Sequence, residues 1–188
     1  QLQSIGFGRS WGVVGLSLLQ ETDAVMLPGL LAAIGPNQIM KIAIGNRSAG
    51  ILTAIGEAVK KGKLTGLREI DFRREKLGDH VEPGLLGILS DFGPAFHRLN
   101  LSLSQHIVDI SGLETCKNLR TLHLRYCKGV VDVSALGSCS NLHTLDLNYT
   151  HVVDVSALGS CSCLHTLELM GTQVVDLSAL RSCSSLRE

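Results

Sequence analysis

The sequence predicts an α/β solenoid: a curved stack of short parallel strands backed by helices or 3-10 turns. Three observations predict it. An apolar-x-x-apolar-x-apolar frame recurs from one end of the chain to the other. Ten residues, Val131–Ser140, return letter for letter at Val153–Ser162. Hydrophobic residues make up 45% of the chain but aromatics only 4%, so the core is built from thin aliphatic layers. Self-similarity at a period of 20 to 50 residues is the mark of a stacked-repeat architecture, because one unit cannot bury its apolar side alone.

The frame opens loosely at Leu2-Ile5-Phe7. It continues at Ile39-Ile42-Ile44, Leu67-Ile70-Phe72, Phe96-Leu99-Leu101, Leu119-Leu122-Leu124, Leu142-Leu145-Leu147 and Leu164-Leu167-Leu169, and an eighth copy begins at Leu186. Start-to-start spacings are 37, 28, 29, 23, 23, 22 and 22 residues. Within each frame apolar and polar residues alternate, which is the strand period. The remainder of each unit returns the chain to begin the next strand alongside.

The long units leave room for helices. Across Ser48 to Lys63, the residues Ile51, Leu52, Ile55 and Val59 share one helical face, and Gly62 is placed to end it. A second helix is expected over Pro83 to Phe92, with Gly93-Pro94 as its stop, and a third across Pro28 to Ile34. The later units have only about a dozen residues for the return, which suits a 3-10 turn. The expectation is one domain over 1–188, cut from a longer solenoid, with helix-backed units in 1–95, short units in 96–188 and the tighter bend in the first half.

This pattern resembles the leucine-rich-repeat family over essentially the whole chain. The short units resemble its bacterial class, in which the return is Ile/Val-x-Asp-Ile/Val-x-x-Leu; here it reads Val152-Val153-Asp154-Val155-Ser156-Ala157-Leu158. The long units resemble the ribonuclease-inhibitor class. The Ala-Leu-Gly-Ser-Cys-Ser-Asn-Leu variant is similar to leucine-rich-repeat proteins of kinetoplastids, some of which are described as putative adenylate cyclase regulators.

Charge excludes some functions. Lys plus Arg and Asp plus Glu each number 17, so no net field draws the chain to nucleic acid or to an anionic membrane. The most apolar stretch, Ala24 to Gly35, is too short for a spanning helix, and the opening residues do not read as a signal peptide.

Repeated columns account for the residues that suggest chemistry. Cys116, Cys139, Cys161 and Cys183 share one inward position, as a column of buried thiols. Cys163 should point away, and Cys127 falls at the turn after its strand. Without a Cys-x-x-Cys pair, no zinc site is expected, and the thiols favour the cytoplasm or nucleus; a secreted or surface location is the alternative. His97, His143 and His165 read as a solvated strand-edge column. Asp109, Asp132, Asp154 and Asp176 each precede a tight turn, where a carboxylate can cap backbone N–H groups. Gly56 to Lys63 fails the phosphate-loop spacing. Sequons at Asn46, Asn100 and Asn148 carry little weight. The expectations are therefore no catalytic residues, no metal and no cofactor.

What varies lies between the inward residues of each strand. Glu69, Asp71 and Arg73, then Arg98 and Asn100, His123 and Arg125, Asp146 and Asn148, and Glu168 should line the concave face, with Tyr126 and Tyr149 in register at strand ends. Mixed charge with tyrosine and arginine suits a protein partner. A scaffold or regulator follows most directly. A recognition arm of an enzyme complex, such as a ubiquitin ligase or a cyclase regulator, and a surface adhesin are the alternatives.

Overall fold

A computed structural model of the chain describes residues 6–7, 13–15, 29, 41–43, 49–62, 64–71, 97–105 and 107–186. Among these residues, eight strands form one sheet in sequence order: β1 Gly6–Phe7, β2 Val13–Gly15, β3 Lys41–Ala43, β4 Glu69–Asp71, β5 Arg98–Asn100, β6 Thr121–His123, β7 Thr144–Asp146 and β8 Thr166–Glu168. From β2 to β8 every pair is parallel and in register, with Ile42, Ile70, Leu99, Leu122, Leu145 and Leu167 aligned across the strands. This is the α/β solenoid the frame predicts.

The first unit differs from expectation. β1 pairs antiparallel with β2, Phe7 opposite Val14, and it is β2 that lies parallel to β3, with Val14 opposite Ile42. By sequence offset, the frame in register with Ile39-Ile42-Ile44 starts at Trp11, three residues before Val14, and not at Leu2. Its spacing to Ile39 is 28 residues, equal to the unit that follows, and the anomalous 37 disappears. Leu2-Ile5-Phe7 matches the apolar letters, but Gly6–Phe7 pairs antiparallel and lies outside the run of parallel strands.

Among the described residues the return segments are of two kinds. Between β3 and β4 runs α1, Ala49–Lys60, which buries Ala54, Ile55 and Ala58. Gly62 ends it at φ +67, with its N–H donated to the Val59 carbonyl. A left-handed residue just past a helix is cheapest as glycine. The helices expected over 28–34 and 83–92 lie outside the described residues, Gly29 apart. From β5 onward each return is a five-residue 3-10 turn: η1 Ser111–Thr115, η2 Ser134–Ser138, η3 Ser156–Ser160 and η4 Ser178–Ser182.

Each of these turns is set by its aspartate. Asp109, Asp132, Asp154 and Asp176 accept the backbone N–H of Ser111, Ser134, Ser156 and Ser178 through Oδ1 at 2.7–2.8 Å. That bond holds the carboxyls of Asp109, Asp132 and Asp176 below the usual carboxylate range.

Behind the sheet, the core is a set of aligned layers. Leu113, Leu136 and Leu158 are fully buried, and so are Cys116, Cys139 and Cys161 beside them. No disulfide joins any of the six cysteines. The thiols of Cys139, Cys161 and Cys183 each donate to a carbonyl of the preceding unit, Leu113, Leu136 and Leu158, at 3.5, 3.3 and 3.2 Å. Burial pushes Cys116 up to about 11, Cys139 to about 12 and Cys161 to about 11. Cys163 is half-buried. Cys127, at the turn after its strand, is fully enclosed, and its thiol donates to the Leu101 carbonyl at 3.1 Å. It occupies the position held by Thr150 and Thr172, whose hydroxyls cap the strand end by donating to Leu147 and Leu169.

Candidate functional site

A strand of three residues presents its two ends on one side and its centre on the other. Leu122 in β6 is buried while Thr121 and His123 are half-exposed, and β5 shows Arg98 exposed and Asn100 half-exposed around buried Leu99. Thr166 and Glu168 of β8 are exposed. In-register pairing then lines these ends up into columns.

Some of these side chains bond to one another instead of facing solvent. On β3 and β4, Lys41 Nζ lies 2.6 Å from Glu69 Oε1 and 3.4 Å from Asp71 Oδ2. Asp71 is only 6% exposed. On β7, Asp146 is 7% exposed; its Oδ1 accepts the Asn148 N–H at 2.9 Å and its Oδ2 stands 3.9 Å from His123 Nδ1. Asn148 is 3% exposed and has all its polar atoms in use: Oδ1 accepts the Met170 N–H at 2.7 Å and Nδ2 donates to Glu168 Oε2 at 2.6 Å. The expectation that Asp71, Asp146 and Asn148 stand open to a partner is thus corrected. Short polar side chains at these positions can reach the backbone of the next turn, and desolvation favours that bond over solvent. Asn100 behaves likewise, accepting the Ser102 N–H at 3.0 Å. The enclosed Nδ2 also removes Asn148 as a glycosylation acceptor in the folded chain.

Beyond these, the strand ends form a second feature. Leu103, Tyr126, Tyr149 and Gly171 occupy one repeat position, and all four have positive φ, at 67, 61, 58 and 70°. The N–H groups of the first three donate to carbonyls of the following unit, Arg125, Asn148 and Met170. The Tyr126 and Tyr149 rings stack at 4.5 Å between centroids and 3° between planes. The Arg125 guanidinium lies 5.3 Å from the Tyr126 centroid and 5.4 Å from that of Tyr149, within cation–π range of both. Tyr149 Oη reaches Met170 Sδ at 3.6 Å, and Met170 itself is exposed. Gly171 leaves room for the Tyr149 ring: a Cβ there would stand 2.7 Å from Tyr149 Cδ1.

The structure therefore assembles Arg125, Tyr126 and Tyr149, while Glu69, Arg98, His123 and Glu168 stand on neighbouring strands of the same face. Arg73 lies outside the described residues. Sequence reasoning missed Met170 and Gly171 as parts of the tyrosine cluster. Gly171 was the available signal, since a glycine aligned with two tyrosines marks a left-handed position. It also missed a flank column of exposed valines, Val108, Val131, Val153 and Val175, one residue before each turn-setting aspartate.

The histidine column has its own geometry. His143 and His165 stack at 5.2 Å and 1°, and each Nδ1 lies 2.6 Å from a backbone carbonyl, of Asn141 and Cys163. A carbonyl partner requires the proton on Nδ1. Among the described residues, no group of three or more His, Cys, Asp or Glu is placed to hold a metal ion. None of the described helices is long and apolar enough to cross a membrane.

Solved structures of the same shape are leucine-rich-repeat proteins. An internalin from Listeria monocytogenes superposes with a TM-score of 0.62 at 18% identity, over 84% of this chain and 42% of that one. An internalin C2 from the same organism gives 0.56 at 21% identity, over 85% of this chain and 62% of that one. The chain thus spans between two fifths and two thirds of the length of these neighbours. No family model matches the chain, and no curated protein sequence does. The fold is that of a leucine-rich-repeat solenoid.

Proposed function

We propose that this leucine-rich-repeat chain is a binding module that holds another protein against its strand face. One contrast carries the reading. Inward positions are nearly uniform from unit to unit, as stacking demands, whereas the outward ones carry Glu69, Arg98, His123, Arg125 and Glu168 in no repeated order. Stacking needs only the first set, so the variety of the second is left to serve a partner. Its role is that of a scaffold or regulator, with catalysis left to other proteins. The two stretches 1–95 and 96–188 act as one continuous stack, and the cytoplasm or nucleus suits a core holding fully buried thiols.

A photo-crosslinking residue tests this. Placed at Thr121 or Thr166 on the strand face, it should give a discrete protein adduct in cells; placed at Ser138 or Ser160 on the back, it should not. Adducts confined to the back would refute the reading.

A further inference from the structure

We infer that Arg125, Tyr126, Tyr149 and Met170 form the anchor of the strand face, and that it takes a protein segment presenting an acidic side chain beside an aromatic or aliphatic one. The inference rests on the binding role proposed above and specifies the partner's chemistry.

Backbone conformation is the first ground. A left-handed residue is cheap as glycine and costs roughly 1–2 kcal/mol with a side chain. The fold accepts glycine at this position, as Gly171 shows one unit further on. Two consecutive units nevertheless place tyrosine there, at φ 61 and 58°. The stacked pair recovers part of that cost, but local propensity broken in this way marks sites kept for something other than folding.

Arg125 is the second ground. It rests against both rings, yet it donates to no carboxylate among the described residues. Elsewhere on the face Lys41 pairs with Glu69 and Asp71, Asp146 stands 3.9 Å from His123, and Glu168 accepts from the Asn148 amide, while Arg98 stands exposed. Arg125 differs from Arg98 in being a planar fork of N–H donors set against two rings, with no carboxylate partner among the described residues. A carboxylate can engage such a fork through two parallel bonds.

Apolar surface is the third ground. Met170 and Leu103 are exposed on either side of the tyrosine pair. With Arg and Tyr between them they have the composition of an interface hot spot, where aromatic, Met and Arg side chains are enriched. A segment whose acidic group met Arg125 would lay its neighbouring side chain on Tyr149 and Met170. These three grounds select an acidic–apolar pair over a basic one.

The experiment is selection of a random displayed dodecapeptide library on the immobilised full chain. Enriched peptides should share Asp or Glu next to an aromatic or large aliphatic residue. Synthetic versions should lose at least tenfold in affinity when the acid is changed to its amide, and also when the chain carries Arg125→Gln or Tyr149→Leu. Arg125→Lys should recover only part of the Arg125→Gln loss, because it restores charge without the fork. Thermal melts of each variant separate lost binding from lost fold. Peptides that bind the strand face, shown by sensitivity to Thr144→Arg, but ignore Arg125→Gln would overturn this inference and leave the wider binding role standing. Peptides indifferent to every strand-face change would overturn both, and a selection without enrichment would overturn the anchor.

Discussion

Gly171→Ala is the sharpest probe of how the tyrosine cluster is built. Two separable effects meet at this residue. At φ +70 an alanine is strained by roughly 1–2 kcal/mol whatever its surroundings. The added Cβ would also stand 2.7 Å from Tyr149 Cδ1 and 3.1 Å from Cε1, closer than atoms pack, so the ring must move. Moving it forfeits the stack on Tyr126, worth about 0.5–1.5 kcal/mol. The sum is about 1.5–3.5 kcal/mol of lost stability, measured by urea unfolding followed by circular dichroism. The decisive comparison is the same change in a Tyr149→Ala background. There the ring is gone and only the backbone part, about 1–2 kcal/mol, should remain. A Gly171→Ala loss below about 0.5 kcal/mol, or an undiminished loss without Tyr149, would refute the reasoning.

Three further outcomes follow from geometry already described. Asn148→Ala removes two side-chain hydrogen bonds at a buried site and leaves the Met170 N–H without its acceptor, so it should cost about 1–3 kcal/mol and speed exchange of the Met170 amide; protection unchanged at Met170 would contradict the network. The carboxyls of Asp109, Asp132 and Asp176 are depressed in the fold, so their contribution is complete above the unfolded value, about 3.9, and is lost as pH falls through the lower folded values. Asp132→Asn keeps an acceptor but removes a titrating carboxyl, and should flatten the decline of Tm below about pH 4; an unaltered slope would assign that decline to other groups. Iodoacetamide at pH 8 should label Cys163 first and the enclosed Cys116, Cys139 and Cys161 only after denaturation, which peptide mass mapping can read directly.

Most of the fold was legible because stacking repeats the same physical problem in each unit. The Leu122-type strand centres, the buried Cys139 column and the Asp132 turn could all be read from spacing, since each recurs at the same offset. Where a residue answers a local question instead, spacing misled. Leu2-Ile5-Phe7 satisfied the frame in letters, yet β1 pairs antiparallel with β2, and the spacing of apolar letters carries no strand direction. The place of Cys127 at the turn was legible, but its enclosure against the Leu101 carbonyl was not. The face was only half legible. Alternation says that Asp146 and Asn148 leave the core side; it does not say that short side chains then fold back onto the backbone and onto Glu168. The register of Tyr126 and Tyr149 and the place of Arg125 were legible from alternation, but the left-handed backbone that carries the tyrosines was not, because alternation does not reveal φ.

The letter-for-letter repeat of Val131–Ser140 at Val153–Ser162 lies wholly within the return segment and none of it in a strand. The two copies are therefore a seam at which the chain could be shortened without composing a new junction. Excising residues 141–162 would join Ser140 to Cys163, the same Ser-Cys step the chain already makes at Ser162. Every layer behind the sheet would find its customary neighbour. The front would not be conserved: Tyr126 would descend onto Gly171 in the place of Tyr149, and the Asp146–Asn148 network would vanish. Such a chain changes its strand face in whole-coil quanta, with the back serving as a fixed binding and the front as its exchangeable pages.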